Sequence, residues 1–436
     1  MLMSGAQRVY AYSLQLALVI FPFSTAWVYY ESMIGGVKWQ YGTLLWYASE
    51  AVLVVCVMSC CLFLYTNHIR GKQVRFRWTK ERLFVLSLAG LCAYLYGRSF
   101  FTVYPDIALQ QSVHMLEAVL FFFCTLLSPL ENRTLIRALV LGAIFQAGLG
   151  VAQFFLQNTW SSTLLGTSAH LAAEVGSSVV VAESERWLRA YGTLSHPNVF
   201  GGYLVLMLLL FLYIRSKAQN FTDIFNVRYQ ILNYLLIILL TVGVFVSFSR
   251  SAWIALFLGL LFLSFRSKQS KKHIVSIFTV ICTFAILCGL LWPLITTRLG
   301  AKTLNERQSI SERVSGNAEA IELAGENMLF GMGPGHYTVT LMQKDSSRPI
   351  WEYQPVHNVL LLVLVEIGVV GVLLFVLCSL LFVKTFQISF VDGVFFVPFV
   401  PLLLFDHYLW SSLVGLFVVG ACIALFCRYK KVNTIA

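Results

Sequence analysis

Charged residues are scarce in this chain: only 12% of its 436 residues are Asp, Glu, Lys or Arg, whereas a soluble globular protein has about 25%. Hydrophobic residues make up 58% of the sequence, with a mean hydropathy of +0.77. An aqueous core cannot hide so much apolar surface, so the composition predicts an integral membrane protein. The net charge of +11 does not require a nucleic-acid partner, because membrane proteins concentrate Lys and Arg on the cytoplasmic side.

Several signals of other protein classes are also missing. All ten cysteines fall in or at the ends of apolar runs, so neither a disulfide framework nor a zinc site is indicated. The chain has no Walker motif, no internal repeat and no low-complexity tract, and its long loops carry no acidic DxD-like metal cluster. The first apolar run is long and lacks a small-residue cleavage site, which predicts a membrane span rather than a signal peptide.

Apolar runs of spanning length dominate what remains. Runs near twenty residues predict helices, because a backbone in lipid must satisfy its own hydrogen bonds. We therefore predict an all-α, polytopic transmembrane helical bundle of about 12 spans. Their approximate limits are 9–30, 43–66, 83–97, 107–129, 134–156, 197–214, 230–248, 250–265, 274–296, 356–383, 388–405 and 407–427.

Basic residues predict the orientation of this bundle. With a cytoplasmic N-terminus, the inside segments hold most of the 31 lysines and arginines, with clusters at 70–82, 215–228 and 266–272. The even number of spans then places both termini in the cytoplasm. Two long loops, roughly 157–196 and 297–355, lie outside, and long loops between packed helices are usually functional or disordered. We expect residues 1–436 to form a single polytopic membrane domain.

The first polar motif at the predicted outer face is "LRAYGTLSHPNVFGGYL". Arg189 precedes the sixth span by about eight residues, and His196, Pro197 and Asn198 open that span. A helix N-terminus offers free N–H groups and partial positive charge, so an anion could bind there. The alternative is that His196 and Asn198 only cap the helix.

The second motif is "FSRSAW", a tight outward hairpin between the seventh and eighth spans. Arg250 is its only charge and stands between Ser249 and Ser251. An arginine between hydroxyl groups at a two-helix tip is suited to grip a phosphate. A snorkelling arginine is the simpler alternative.

The second long loop begins with a polar, helix-capable stretch that contains Glu312 and Arg313, and taken alone this is an ordinary exposed charge pair. The loop then turns through Gly331, Gly333, Pro334 and Gly335. Such a run predicts a tight turn that needs positive φ or a close backbone approach.

The tenth span opens with His357 and Asn358. A histidine at this position can act as a base near neutral pH. Glu366 would lie roughly 13 Å deeper in a regular helix, too far for direct contact with His357. Gly368 and Gly371 predict a small-residue face for close helix packing.

Other ionisable residues lie near or within the spans. Asp406 and His407 are at the outward end of the last hairpin, where Asp406 could orient a histidine. Within spans, His114 and Glu117 are spaced i, i+3 on one helix face, which resembles half of a di-metal carboxylate motif. Glu50 is a further acidic residue within a span. The second half of the di-metal motif is missing from the sequence, so we expect His114 and Glu117 to form a structural hydrogen bond.

In four segments that follow one another in the same order, the chain resembles the O-antigen ligase/O-antigen polymerase family, bacterial polytopic transferases of lipid-linked glycans. These segments are "RAYGTLSHPNVFGGYL", "FSRSAW", "ISERVSGNAEAIELAGENMLFGMGPGHY" and "HNVLLLVLVEIGVVG". The resemblance is strongest over residues 185–375, the ligase/polymerase-like core region. Each segment is short and half apolar, so their shared order carries the signal.

The resemblance implies a GT-C-like membrane glycosyltransferase of the O-antigen ligase type. It would move a glycan from an undecaprenyl-diphosphate-linked donor to an acceptor hydroxyl, with inversion and without a metal or other cofactor. His357 would activate the acceptor, and Arg189, Arg313 and Arg250 would bind the donor diphosphate. The aromatic residue that often follows the Glu-Arg pair in the family is absent here, so the sequence departs from the family pattern at Arg313 and not at the other assigned residues. Supporting residues would be His196, Asn198, Asn358, Glu312, Asp406 and His407.

The acceptor stays open at this point. A lipid-anchored core sugar, another glycan repeat or a protein hydroxyl would make the protein a ligase, a polymerase or a protein O-oligosaccharyltransferase, respectively. A secondary transporter or lipid flippase is the competing class, since twelve spans with both ends inside is also a common transporter plan. The dissimilar halves of the chain and its lack of paired interrupted helices disfavour that class. The resemblance implies the bacterial inner membrane as location.

Overall fold

The computed structural model describes residues 5–69, 78–183, 185–217, 230–265, 271–300 and 304–432. Much of the basic sequence that predicts the orientation, namely 70–77, 218–229 and 266–270, lies outside the described residues. The described chain is mostly helical, which confirms the predicted class of a multi-pass helical membrane protein.

Helices follow one another through most of the described chain. Among the described residues, seven helices are long and apolar enough to cross a membrane, and two more, Gln230–Val246 and Arg250–Ser264, are shorter and apolar. The seven are Ala48–Ile69, Pro105–Leu127, Asn132–Leu156, Pro197–Ser216, Lys271–Leu290, Val359–Thr385 and Leu413–Lys430. The helices are α1 (Gly5–Ile20), α2 (Ala48–Ile69), α3 (Trp78–Ser99), α4 (Pro105–Leu127), α5 (Asn132–Leu156), α6 (Pro197–Lys217), α7 (Gln230–Val246), α8 (Arg250–Ser264), α9 (Lys271–Leu290), α10 (Trp292–Gly300), α11 (Leu304–Glu326), α12 (Tyr337–Lys344), α13 (Val359–Thr385), α14 (Phe390–Gly393), α15 (Phe399–Phe405), α16 (Tyr408–Ser411) and α17 (Leu413–Val432).

Short antiparallel strand pairs interrupt this helical plan. They pair β1 with β4, β2 with β3, β5 with β6 and β7 with β8. The strands are β1 (Ala26–Tyr30), β2 (Met33–Ile34), β3 (Val37–Lys38), β4 (Leu44–Tyr47), β5 (Asn158–Thr159), β6 (His170–Leu171), β7 (Val179–Ala182) and β8 (Glu185–Leu188).

The first two predicted spans are too long. The helix predicted over 9–30 ends at Ile20, and the one predicted over 43–66 begins at Ala48. The intervening apolar stretches "AWVYY" and "LLWY" form strands β1 and β4 instead. Aromatic and branched residues favour strands, and hydropathy alone does not separate a short strand from a helix end.

The predicted span over 388–405 is also not one helix. It is divided into α14, a 3-10 turn and α15, and Pro398 stands at the start of α15. Proline lacks a backbone N–H and its ring clashes with the preceding turn, so a continuous helix is broken there.

Helix α13 opens in its middle, which adds to the role predicted for Gly368. Gly368 has φ 63° and ψ −176°, so it interrupts the helix in addition to allowing the backbone of residues 329–331 to pack closely against it. The glycine turn pairs with the opened backbone: the Met332 N–H donates to the Val365 carbonyl at 2.8 Å, and the Gly333 N–H donates to the Glu366 carbonyl at 2.8 Å. A Cβ on Gly368 would lie 2.5 Å from the Gly331 nitrogen, so both positions require glycine.

The centre of the molecule is formed by α6 and α17, in which 94% and 83% of the residues along the apolar stretch are buried. Helices α4 and α5 pack around them, and the β7–β8 pair contacts α10. This packing brings the start of α6, the start of α8, helices α10 and α11 and the start of α13 to one end of the bundle.

Candidate functional site

Arg189 lies directly after β8 and is 5% exposed. Its Nε donates to the Ser247 carbonyl at 2.7 Å, and its Nη2 donates to Asn198 Oδ1 at 2.6 Å. Ser247 follows α7 and Asn198 is in the first turn of α6. The arginine thus joins the first sequence motif to the residue just before the second, and Asn198 supports it as a hydrogen-bond acceptor.

His196 is held by both ring nitrogens. The backbone N–H of Asn198 donates to its Nδ1 at 3.1 Å, and its Nε2 lies 3.1 Å from Ser178 Oγ. Nδ1 is therefore an acceptor and Nε2 carries the proton. Burial, and next the charge of Arg189, lower the pKa of His196 to about 3. The ring stays neutral and caps the start of α6, which agrees with the helix-capping alternative for His196.

Arg250 begins α8, with Ser249 as the N-cap residue. Its Nη1 lies 3.4 Å from Glu306 Oε2, and its Nη2 donates to Ser309 Oγ at 3.5 Å. Arg250 is therefore held by α11 rather than snorkelling freely. Its guanidinium keeps further donors for a ligand, since the Glu306 contact is an ion pair without a hydrogen bond and the Ser309 contact uses one of its five N–H groups.

Two residues that the sequence analysis did not identify complete the contact between Arg250 and α11. Arg298 of α10 and Glu306 of α11 are 5% and 3% exposed, and Arg298 Nη1 donates to Glu306 Oε1 at 2.5 Å. Arg298 Nε donates to the Phe248 carbonyl at 2.8 Å. The signal in the sequence was Arg298 at the outward end of a predicted span, the same placement that singled out Arg250.

Arg313 lies in α11 and faces the interior. Its Nε and the Oδ1 of Asn317 are buried without a hydrogen-bond partner among the described residues. Residues four apart share one helix face, so the two unsatisfied atoms lie on the same side. Burial lowers the pKa of Arg313, although the charge of Asp406 opposes this. Glu312 is exposed and accepts a hydrogen bond from Gln308 at 2.8 Å, on the solvent side of α11.

His357 lies just before α13, and Asn358 caps that helix by accepting from the Leu360 and Leu361 N–H groups at 3.1 and 3.3 Å. His357 Nδ1 is 3.6 Å from Asp406 Oδ1, which is longer than a hydrogen bond. This Nδ1 is buried and has no hydrogen-bond partner in the described part of the chain. The His407 ring lies beside it, with centroids 5.2 Å apart.

Asp406 connects these groups electrostatically. It is 3% exposed, and its Oδ2 accepts from Ser251 Oγ at 3.3 Å. Burial alone would raise the pKa of Asp406, but the contact and charge of His357, with smaller contributions from His407 and His196, hold it below the ordinary value. The carboxylate is therefore ionised at neutral pH.

Positive charge exceeds negative charge in this cluster. Asp406 interacts electrostatically with Arg189, Arg313 and His196, so these side chains surround a common region. Within the described residues the arginines here are Arg189, Arg250, Arg298 and Arg313, and the buried acids are Glu306 and Asp406. A polyanionic ligand would neutralise the difference.

A metal ion has one possible set of ligands here. Ligand atoms of His357, Asp406 and His407 lie within 4.8 Å of one another, a spacing that could hold a cation. The arginines nearby would repel it, so the electrostatics favour an anion instead. Glu366, the acid farther along α13, is not part of this set, because its carboxylate accepts a hydrogen bond from Trp410 Nε1 at 2.7 Å.

The fold and this cluster define a polytopic helical membrane protein with a buried, arginine-rich polar cluster at one end of its bundle. Residues 235–376 match the family model described as O-antigen ligase. The match confirms the resemblance to the O-antigen ligase family, a family of membrane glycan ligases and transferases. It includes Arg250, Arg313 and His357, whereas Arg189 and His196 lie before it. None of the curated proteins matches the chain.

Proposed function

We propose that this protein is a membrane glycosyltransferase of the O-antigen ligase type. It transfers a glycan from an undecaprenyl-diphosphate-linked donor to an acceptor hydroxyl at the outer face of the bacterial inner membrane. The whole chain acts as one polytopic, GT-C-like membrane domain with both termini in the cytoplasm. The observation that carries the proposal is His357 beside the ionised Asp406, next to an arginine cluster with excess positive charge.

The arginine cluster binds the donor diphosphate. Arg313 offers an Nε–H that is buried and unsatisfied among the described residues, and Arg189 and Arg250 offer the N–H groups that their protein partners leave unused. Diphosphate is already a good leaving group, so charge stabilisation matters more than protonation as its bond to the sugar breaks. Arginine supplies that charge at any physiological pH and without a metal ion.

His357 activates the acceptor. Asp406 stabilises a proton on Nδ1, which leaves Nε2 as the acceptor nitrogen, and the 3.6 Å separation shortens when substrate binds. Nε2 takes the hydroxyl proton while the acceptor oxygen bonds to the anomeric carbon. The diphosphate leaves from the opposite side with the bonding electron pair, which inverts that carbon. General-base catalysis of this kind contributes roughly 10²–10⁴-fold.

A transfer assay tests the proposal. Purified protein is mixed with a lipid-diphosphate glycan and with one of three acceptors: a core glycolipid, a second glycan repeat or a hydroxyl-bearing peptide. His357→Ala should lose at least about 100-fold in turnover if the ring is the base. His68→Ala, which removes an exposed histidine in the last turn of α2, should retain the wild-type rate.

The same assay has two outcomes against the proposal. Full turnover by His357→Ala would exclude the histidine as the base. Loss of wild-type turnover on adding a chelator, in protein that stays folded and in the Glu117→Gln variant as well, would exclude the metal-independent mechanism and would point to a cation held by His357, Asp406 and His407. The acceptor that is consumed distinguishes ligase, polymerase and protein O-oligosaccharyltransferase.

A further inference from the structure

A second cluster of ionisable side chains lies between α2 and α4, away from the arginine site. His114 Nε2 is 3.8 Å from Glu50 Oε1, and one ligand atom from each of Glu50, His114 and Glu117 lies within 4.8 Å of the others. Glu50 is in the first turn of α2, and the other two residues are in α4. The sequence analysis named all three residues but related only the two on α4 to each other, and the fold brings Glu50 of α2 to them.

The hydrogen bond expected for His114 is not formed at its Nε2, whereas the carboxyl groups of Glu117 and Glu50 share a hydrogen bond. His114 is 7% exposed, yet its Nε2 has no hydrogen-bond partner in the part of the chain that the structure describes. The Oε2 of Glu117 is likewise buried without one among the described residues. Glu50 accepts from the backbone N–H of Tyr47, which leaves its other oxygen directed at the imidazole. An unsatisfied nitrogen and two carboxylates thus converge on one point.

The chemistry of this set matches a divalent metal ion. The adjacent carboxyl groups of Glu50 and Glu117 share a hydrogen bond, since two ionised carboxylates here would repel each other, and one dication in place of the shared proton would neutralise both. A neutral imidazole with a free lone pair completes a mixed nitrogen and oxygen ligand set, which Zn²⁺ accepts. Ligand atoms about 2.1 Å from a tetrahedral ion stand roughly 3.4 Å apart, so the 3.8 Å separation needs only a small side-chain adjustment.

We propose that Glu50, His114 and Glu117 form a binding site for a divalent transition-metal ion of the Zn²⁺ type, which ties the start of α2 to α4. The site is separate from the proposed transfer chemistry and does not depend on it. Its role is to hold two membrane helices together, because ionisable residues inside a bundle are costly unless they are paired or bind a ligand.

Metal content and thermal unfolding of the full-length protein test this proposal without any activity measurement. Chelator-treated protein in detergent is incubated with Zn²⁺, desalted and analysed for bound metal by mass spectrometry. We expect about one Zn²⁺ per chain and a higher melting temperature with Zn²⁺ than without. His114→Ala should lose at least the roughly 10–100-fold in affinity that even an outer-shell change costs a metal site.

Matched variants locate the ion. Glu117→Gln keeps the side-chain shape if His114→Ala does not fold, and it should lose the same affinity. Glu131→Gln, at an exposed position before α5, and His68→Ala should bind Zn²⁺ as the wild type does. His357→Ala should also retain the ion, which separates this cluster from His357, Asp406 and His407.

Three results would overturn the proposal. The first is a wild-type chain that takes up no Zn²⁺ and shows no thermal shift. The second is unchanged binding by Glu117→Gln. The third is an ion that is lost with His357→Ala and kept by His114→Ala, which would place it in the other cluster. Failure of the transfer assay leaves these measurements unaffected.

Discussion

Replacing Asp406 by asparagine tests the link between the buried carboxylate and the proposed base. The substitution keeps the shape of the side chain and removes its charge, which faces His357 Nδ1 at 3.6 Å. Coulomb attraction at that distance with an effective dielectric constant of about 20 amounts to roughly 4–5 kcal/mol. The His357 side chain is 18% exposed, so solvent screens part of this and about half remains.

The attraction of about 2–3 kcal/mol acts only once the imidazole is protonated, which happens in the transition state. Its removal by Asp406→Asn therefore lowers turnover by roughly 100-fold. Single-turnover transfer by Asp406→Asn, with donor saturating, measures the effect. Asp106→Asn, at an exposed position in the first turn of α4, serves as the matched control and should react at the wild-type rate. Turnover by Asp406→Asn within about twofold of wild type would refute the reasoning, because an imidazolium at this site would then need no carboxylate.

Three further predictions follow from the contacts described. Glu306→Gln should raise the donor KM by about tenfold with a smaller change in kcat, because Arg250 loses the carboxylate that positions it; donor titrations of transfer rate measure this. Gly368→Ala should lower the free energy of unfolding by about 2–4 kcal/mol, because φ at this position is 63° and the new Cβ would clash with backbone atoms. Gly289→Ala places its Cβ in open space in the described structure and should change the free energy of unfolding little. Denaturant unfolding of the two variants compares them. The pKa of Asp406 is lower in the folded protein than its value of 3.8 in the unfolded chain, so the ionised carboxylate stabilises the fold fully above that pH. The stabilisation is lost as the pH falls further and Asp406 is protonated. The difference in melting temperature between wild type and Asp406→Asn should therefore shrink between pH 5 and about pH 2.

Apolar runs were sufficient to predict the long helices, because lipid-facing and buried helices need about twenty hydrophobic residues whatever their neighbours are. They failed where another property decided the backbone. The aromatic stretch over 26–30 pairs with 44–47 as strands, and Pro398 divides the run over 388–405. The opening of α13 depends on pairing with residues 328–333, more than thirty positions away along the chain, which no local pattern encodes.

The candidate site divides in the same way. Arg250 and His357 could be predicted, because a charged or titratable residue at the end of a membrane helix is expensive and therefore conspicuous, and Arg189 could be predicted from the motif that leads into α6. Glu306 and its ion pair with Arg298 could not, since that pair joins two helices through a fold that the sequence does not display. Glu50 likewise meets His114 only because α2 packs against α4.

The release of undecaprenyl diphosphate is the measurement closest to the central claim. Purified protein in lipid nanodiscs, supplied with the lipid-linked glycan and an acceptor in the presence of a chelator, should release one lipid diphosphate for every glycan attached, about one to one by the balance of the transfer reaction. Arg313→Lys should slow both products together, because lysine cannot give bidentate contacts. Movement of intact donor across the membrane of vesicles, with neither product formed, would contradict the account and identify a flippase.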